Sequence, residues 1–209
     1  MAGHPIFAAI YDRLLAESER EGLGELRSQL LGGASGRTLE LGSGTGANLE
    51  HYTSAVTELV MTEPDPHMAK RLRARLDDER PSAAAVEVAE VGAESLPFED
   101  ASFDTVVSTL VLCTVPDATA AVGEAHRVLK PGGRLLFIEH VRDADGTRRA
   151  RWQDRLERPW GWFAGACHPN RDTGRLLATT FADVAIDRGE FPGSGTALVR
   201  PLISGTAVR

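Results

Sequence analysis

The sequence predicts an α/β protein built around a mostly parallel sheet. Two observations carry that expectation. Short apolar runs alternate with longer helical stretches along most of the 209 residues, and a cluster of glycines follows the first apolar run. A third feature closes the chain, where Val184–Phe191 and Leu202–Val208 read as a pair of strands.

The elements follow in order. Ile6, Ala9, Ile10, Leu14, Leu23, Leu26 and Leu30 fall at helical spacing over residues 5–31, broken at Gly22–Gly24, so two helices are expected. Gly32, Gly33 and Gly36 end them. Arg37–Leu41 (RTLEL) is a short strand, Gly42–Gly46 a glycine turn, and Ala47–Tyr52 the start of a helix. Glu58–Thr62 (ELVMT) is the second strand. Asp65 before Pro66 suits an N-cap with proline at the first helical position, opening a helix to Glu79. Val86–Val88 is a weak third strand. Phe103–Leu110 (FDTVVSTL) has the continuous apolar character of a strand buried on both faces. Asp117–Leu129 is helical, Pro131–Gly133 stops it, and Arg134–Ile138 (RLLFI) is the fifth strand. Helices follow across 147–180. Right-handed crossovers then put helices on both faces and ligands at the carboxyl ends of the strands.

Composition narrows the function. With 42% hydrophobic and 25% charged residues, the chain suits one domain with one core. A net charge of -7 repels phosphate backbones and argues against nucleic acid as a partner. Apart from Lys70 and Lys130 every basic residue other than histidine is arginine, which with the abundant Ala and Gly points to a GC-rich bacterial genome. Cys113 and Cys167 make no disulfide framework and match no zinc spacing, so buried thiols in a reducing cytoplasm are expected. The opening MAGHPIFAAIYDRLL does not read as a signal peptide, and no apolar run approaches the roughly 20 residues a bilayer requires. A soluble cytoplasmic monomer or homodimer is expected.

Four motifs stand in order. Glu40-Leu41-Gly42-Ser43-Gly44-Thr45-Gly46 would let the backbone turn tightly and approach a ligand. A helix after it would aim N–H groups at an anion. Alone, Gly42, Gly44 and Ala47 also fit a dinucleotide fingerprint. Glu63, 21 residues after Gly42, can accept both ribose hydroxyls of an adenosine, which does not choose between cofactors. The other two motifs do: Leu96–Asp104 (LPFEDASFD) before the fourth strand, and Arg127–Leu135 (RVLKPGGRL) before the fifth.

Together these motifs resemble the class I S-adenosylmethionine (SAM)-dependent methyltransferase superfamily over residues 37–141. The resemblance implies a Rossmann-like sandwich whose seven-stranded sheet has an antiparallel last strand. It implies one domain over 1–209, with lid helices at 1–31, the SAM-binding core at 37–141 and acceptor-side helices and closing strands at 142–209. It also implies SAM as cofactor and S-adenosylhomocysteine as product. Gly42, Ser43, Gly44 and Gly46 would line the methionyl side, with Glu40 supporting its ammonium group and Glu63 on the ribose. Pro64 and Met68 would flank adenine. The family often has Asp where this chain has Gly92, so the backbone of Ala93, with Glu94 beside it, is expected to read adenine. Thr109 and Leu110 would lie under the methionyl chain, and Tyr11 of IYDRL would belong to an N-terminal lid or to the core.

Three further segments bear on the methyl acceptor: Thr109–Val115 (TLVLCTV), Phe137–Val141 (FIEHV), and Trp152…Trp160…Phe163…Gly165…Cys167. With the tail Leu198–Pro201 they resemble the alkyl-thiol S-methyltransferase group, which is membrane-associated in animals and opens there with an apolar anchor that this sequence does not show. The resemblance implies a small apolar thiol as acceptor. His140 would take its proton, since histidine titrates near about 6.5 and a thiol near about 8.5. His168, beside Cys167, is the rival base. Trp152, Trp160, Trp162 and Phe163 would wall the acceptor or simply fill core. Two alternatives stay open. One is a quinone-type ring or a phospholipid amine, with Arg148, Arg149, Arg151, Arg155 and Arg158 making weak peripheral membrane contact. The other is a non-catalytic SAM- or dinucleotide-binding module.

Overall fold

The computed structural model describes residues 12–13, 15–79, 81–82, 85–163, 167–193 and 196–209, with the side chains of 162 and 163 excepted. The first helical segment bends at the expected place. A π-helical turn at Glu19–Leu23 carries a non-helical Gly22, and α1 (Gly24–Leu31) continues beyond it. Strands β1 (Gly36–Leu41), β2 (Val56–Thr62), β3 (Ala85–Ala89), β4 (Phe103–Thr109) and β5 (Leu129–His140) follow, then β6 (Asp183–Glu190) and β7 (Pro201–Val208). Helices α2 (Pro66–Asp78), α3 (Ala118–Val128), α4 (Arg148–Phe163) and α5 (Thr173–Thr180) complete the order.

The sheet has seven strands in the order β3-β2-β1-β4-β5-β7-β6. The first five pair in parallel, and β7 runs antiparallel to both β5 and β6. Consecutive β4 residues show that the strand is buried on both faces. Val106 joins the cluster with Leu39, Leu41, Phe137 and α3, whereas Val107 joins Leu59, Met61, Leu72 and Leu136 on the other face. The Asp65 carboxylate caps α2 by accepting from His67 N at 2.8 Å, and Asp117 caps α3 in the same way.

Two expectations need correction. No helix begins at Ala47: turns over 44–48 lead to one 3-10 turn at Leu49–His51. Asn48 and Tyr52, within the connection to β2, are instead drawn inward to Glu40. The strand expected from Arg134 starts at Leu129: Leu129 pairs with Phe103, and residues 130–133 form a register irregularity, bonded to Arg209, before Arg134 pairs with Thr105.

Candidate active site

Strand order reverses between β1 and β4, and an α/β sheet opens a crevice at the carboxyl ends of the strands there. Arg27, Glu40, Gly42, Ser43, Gly44, Ala47, Asn48 and Thr109 line a cavity at this point. Gly42 has φ 54°, and a Cβ there would stand 2.8 and 2.9 Å from the Val111 methyl groups. A side chain at this position is therefore excluded both by conformation and by space. Ser43 N donates to Thr62 O at 2.8 Å and Gly44 N to Glu63 Oε2 at 2.8 Å, so the turn is tied to the end of β2. Ser43 Oγ is buried beside the Glu40 carboxylate. Gly46 is not on the cavity wall; its Cα packs against Leu49 and Leu72.

A buried polar network floors the cavity. Glu40 accepts from Tyr52 Oη at 2.7 Å and Asn48 Nδ2 at 3.0 Å. Burial pushes the Glu40 pKa up, while these hydrogen bonds and the Arg27 charge oppose the rise. Arg27, 2% exposed, donates to Asn48 Oδ1 at 2.7 Å and Thr109 Oγ1 at 3.0 Å, and pairs with Glu19 at 3.1 Å. Arg27, Asn48 and Tyr52 escaped the sequence reading. The available signal was an arginine inside an apolar helical stretch.

Glu63 accepts from Gly44 N and, at 2.9 Å, from Asp65 N. Burial raises its pKa against those two bonds. Each carboxylate oxygen has two acceptor sites, so one on each stays open to a hydroxyl. Pro64 is exposed, whereas Met68 and Ala93 are buried. A Cβ at Gly92 would lie 2.8 Å from Glu94 Oε2, so the Glu94 carboxylate fills the space beside Gly92. Glu94 Oε1 is buried without a hydrogen-bond partner among the described residues. Tyr11 lies outside the described residues, but its neighbour Asp12 accepts a short hydrogen bond from Thr45 Oγ1 in the glycine turn.

Beyond Thr109 the backbone passes through a left-handed Leu110 (φ 62°), whose N–H donates to Ile138 O at 2.7 Å. A branched residue rarely adopts this conformation, so the surroundings must impose it. Glu139 explains how. It is fully buried and accepts from Ser108 Oγ (2.7 Å), Val111 N (3.1 Å), Leu112 N (3.1 Å) and Cys113 N (3.2 Å). Burial still pushes its pKa up to about 7 against those four donors. Glu139 was also missed, although an acid inside the apolar run FIEHV has to find buried donors.

The loop that Glu139 holds delivers Cys113 to His140 and Cys167. The three ligating atoms lie within 4.8 Å of one another, and Cys113 Sγ is 3.9 Å from His140 Nδ1. Cys113, His140 and the Trp160 indole surround Cys167 and hold it well below the ordinary thiol pKa. Cys113 is pushed well up by the neighbouring Cys167 and by burial. His140 packs edge-on against Phe191 at 4.7 Å. His168 is differently placed: its Nδ1 is 2.7 Å from Glu157 Oε1, and its backbone N donates to Cys113 O. Trp160 packs against Cys113, Cys167 and Val199, whereas Trp152 is 52% exposed. The side chains of Trp162 and Phe163 lie outside the described residues. Arg148, Arg151, Trp152 and Arg155 line a separate shallow hollow on α4, and Arg149 faces Asp143 and Glu190.

Comparison with known proteins agrees with this geometry. A methyltransferase domain family matches residues 39–137. The human thiol S-methyltransferase TMT1B is 36% identical over 190 residues, covering 88% of this chain and 77% of that protein. Human thiol S-methyltransferase TMT1A is 33% identical over 206 residues, covering 97% and 83%. Among solved structures, the N-methyltransferase NodS from Bradyrhizobium japonicum, crystallised with S-adenosylhomocysteine, superposes with a TM-score of 0.66 at 21% identity, covering 92% of this chain and 87% of that one.

Proposed function

Since the chain belongs to the SAM-dependent methyltransferase family that contains the thiol S-methyltransferases TMT1A and TMT1B, we propose that it methylates the sulfur of a small apolar thiol. The observation that carries this reading is the reach of the similarity. It runs over 190 residues, well beyond the cofactor half at 39–137, and so takes in the segments that form the acceptor side.

SAM supplies a methyl group made electrophilic by its sulfonium. The protein's task is to hold that group, align a sulfur with it and exclude water. Glu40 and Arg27 present an anion and a cation on one cavity wall, which matches the ammonium and carboxylate of an amino-acid head. The buried Ser43 hydroxyl and the glycine turn complete that side. Glu63 takes the ribose. Met68 and Pro64 flank adenine, and the Glu94 carboxylate, with the Ala93 backbone, replaces the acid that Gly92 lacks. Thr109 and Leu110 support the methionyl chain. His140, with Cys113 and Cys167, promotes formation of the acceptor thiolate; His168, engaged by Glu157, stands behind them.

No helix among the described residues is long and apolar enough to cross a membrane. We place the protein in the cytoplasm, with at most weak peripheral contact through the arginines and Trp152 of α4. Flotation with anionic liposomes tests this, and salt-resistant binding would favour a phospholipid acceptor.

The decisive experiment is a screen of labelled SAM against thiols, catechols, quinols, amines and phosphatidylethanolamine. Label should appear in thioethers. Label in an oxygen, nitrogen or ring-carbon product, with thiols untouched, would refute the reading.

A further inference from the structure

We propose that Cys113, His140 and Cys167 form a three-ligand site for Zn(II), whose fourth position takes the acceptor thiol. This rests on the thiol reading above and supplies its activating device.

The chain has two cysteines, and both reach this one place. They come from separate segments: the loop after β4, the end of β5 and the loop after α4. A tetrahedral zinc with sulfur at about 2.3 Å and nitrogen at about 2.0–2.1 Å needs its ligands about 3.5–3.8 Å apart. Here all three lie within 4.8 Å, with 3.9 Å between Cys113 Sγ and His140 Nδ1, so a contraction of about 1 Å or less closes the site. Two thiolates and a neutral imidazole cancel the charge of a divalent zinc, which suits a buried location. The sulfur-rich donor set favours zinc over magnesium or calcium. Three protein ligands with one position left open is the arrangement of a zinc that handles substrate, not of a closed structural site.

The scaffold around the ligands is rigid. Glu139 holds the backbone N–H groups of Val111, Leu112 and Cys113; His168 N donates to Cys113 O at 2.7 Å; Arg171 Nη1 donates to Leu112 O at 2.6 Å. Phe191 fixes the His140 ring edge-on. His140 Nε2 is buried without a hydrogen-bond partner among the described residues. The site therefore holds one buried polar atom that the described residues leave open, as expected where a further ligand binds.

In the proposed step the acceptor thiol releases its proton to solvent as its sulfur enters the fourth position. A sulfur lone pair then forms the new bond to the methyl carbon. The bond from that carbon to the sulfonium breaks, and its electron pair stays on the departing thioether. The methylated acceptor is a neutral thioether, a weaker zinc ligand than the thiolate it was, so it leaves.

The test uses the full chain, reduced with a phosphine so that no competing thiol is present. Dialysis against Zn(II) should leave about one zinc per chain. Co(II) in its place should give thiolate charge-transfer absorption and the intense visible bands of a tetrahedral site. Adding butane-1-thiol should shift those visible bands with no SAM present. Cys167→Ser and His140→Ala should each weaken Zn(II) by more than the about 10–100-fold that loss of an outer-sphere partner costs. Both should keep their SAM affinity, which shows that they are folded. The inference is overturned if the reduced protein takes up no Zn(II) or Co(II), if Cys167→Ser binds Zn(II) as tightly as the parent, or if butane-1-thiol leaves the cobalt bands unmoved. Rapid thiol methylation by metal-free protein would overturn it while leaving the thiol reading intact. A thiol-responsive cobalt spectrum in a protein that methylates only oxygen or nitrogen acceptors would uphold the zinc site and sink the thiol reading.

Discussion

Arg27 and Glu40 meet through a single amide: Asn48 Oδ1 accepts from Arg27 at 2.7 Å while its Nδ2 donates to Glu40 at 3.0 Å. Two opposite charges are thereby held at the wall of one cavity without neutralising each other directly. Their spacing lets both stay available to a zwitterionic ligand, and Glu19 balances the arginine from behind.

Arg27→Ala should weaken both SAM and S-adenosylhomocysteine by about 1.5–3 kcal/mol, the range for hydrogen bonds to charged groups. The two ligands share the amino-acid head, so the losses should match. Titration calorimetry with each measures this. A selective loss of SAM would move Arg27 from the carboxylate to the sulfonium side.

Glu63→Ala should weaken SAM by about 1–3 kcal/mol. Its pH dependence carries a sign. Burial raises the Glu63 pKa, so the carboxylate protonates at a higher pH than a free glutamate, and SAM affinity should fall as the pH drops through that raised value. Folding stability runs the other way. The Glu63 contribution is complete below the ordinary value of 4.5 and is lost as the pH rises through the folded pKa. Glu63→Gln should flatten both profiles, measured by calorimetry and by denaturant unfolding.

Gly42→Ala should impair the cofactor site more than its size suggests. A left-handed alanine costs about 1–2 kcal/mol before its Cβ meets Val111. Val111 belongs to the loop on Glu139, so the strain should spread to the acceptor side. SAM affinity and turnover should both drop, as steady-state kinetics will report; a variant with parental constants would contradict the tight packing.

Glu139→Gln keeps the shape but places an amide among four donors. Leaving buried N–H groups unpaired costs about 1–3 kcal/mol each way, so urea unfolding should shift to lower denaturant. Glu139 is not on the cavity wall, so SAM affinity should change little while turnover falls. The opposite pattern would put Glu139 in the cofactor site.

His168→Ala should be mild and His140→Ala severe. The His168–Glu157 pair is about one-third exposed and is worth about 0–1 kcal/mol. His140 is 9% exposed and stands among the acceptor-side thiols. Turnover of the two variants with one thiol decides; equal losses would restore His168 as a participant.

The sequence alone determined the order of strands and helices, the bend at the N-terminal helix, the glycine turn and Glu63. These are legible because each is a local arrangement. A strand, its ending turn and a helix cap are set by residues close in the chain, even where their hydrogen bonds, such as Gly44 N to Glu63, reach a neighbouring strand. The helix expected from Ala47 did not form because Asn48 and Tyr52 there turn inward to bond the buried Glu40. The rest needed the tertiary structure. Arg27 is 82 residues from the Thr109 it donates to, and Cys113 is 27 residues from His140. Their meeting depends on which strands are neighbours: β4 pairs β5 with Thr109 beside Ile138, which carries the Cys113 loop to the end where His140 stands. Glu139 reads as an acid at the end of an apolar strand. Only the paired strands show that its carboxylate holds the loop bearing Cys113, because long-range hydrogen bonds follow sheet order and leave no spacing in the chain to read.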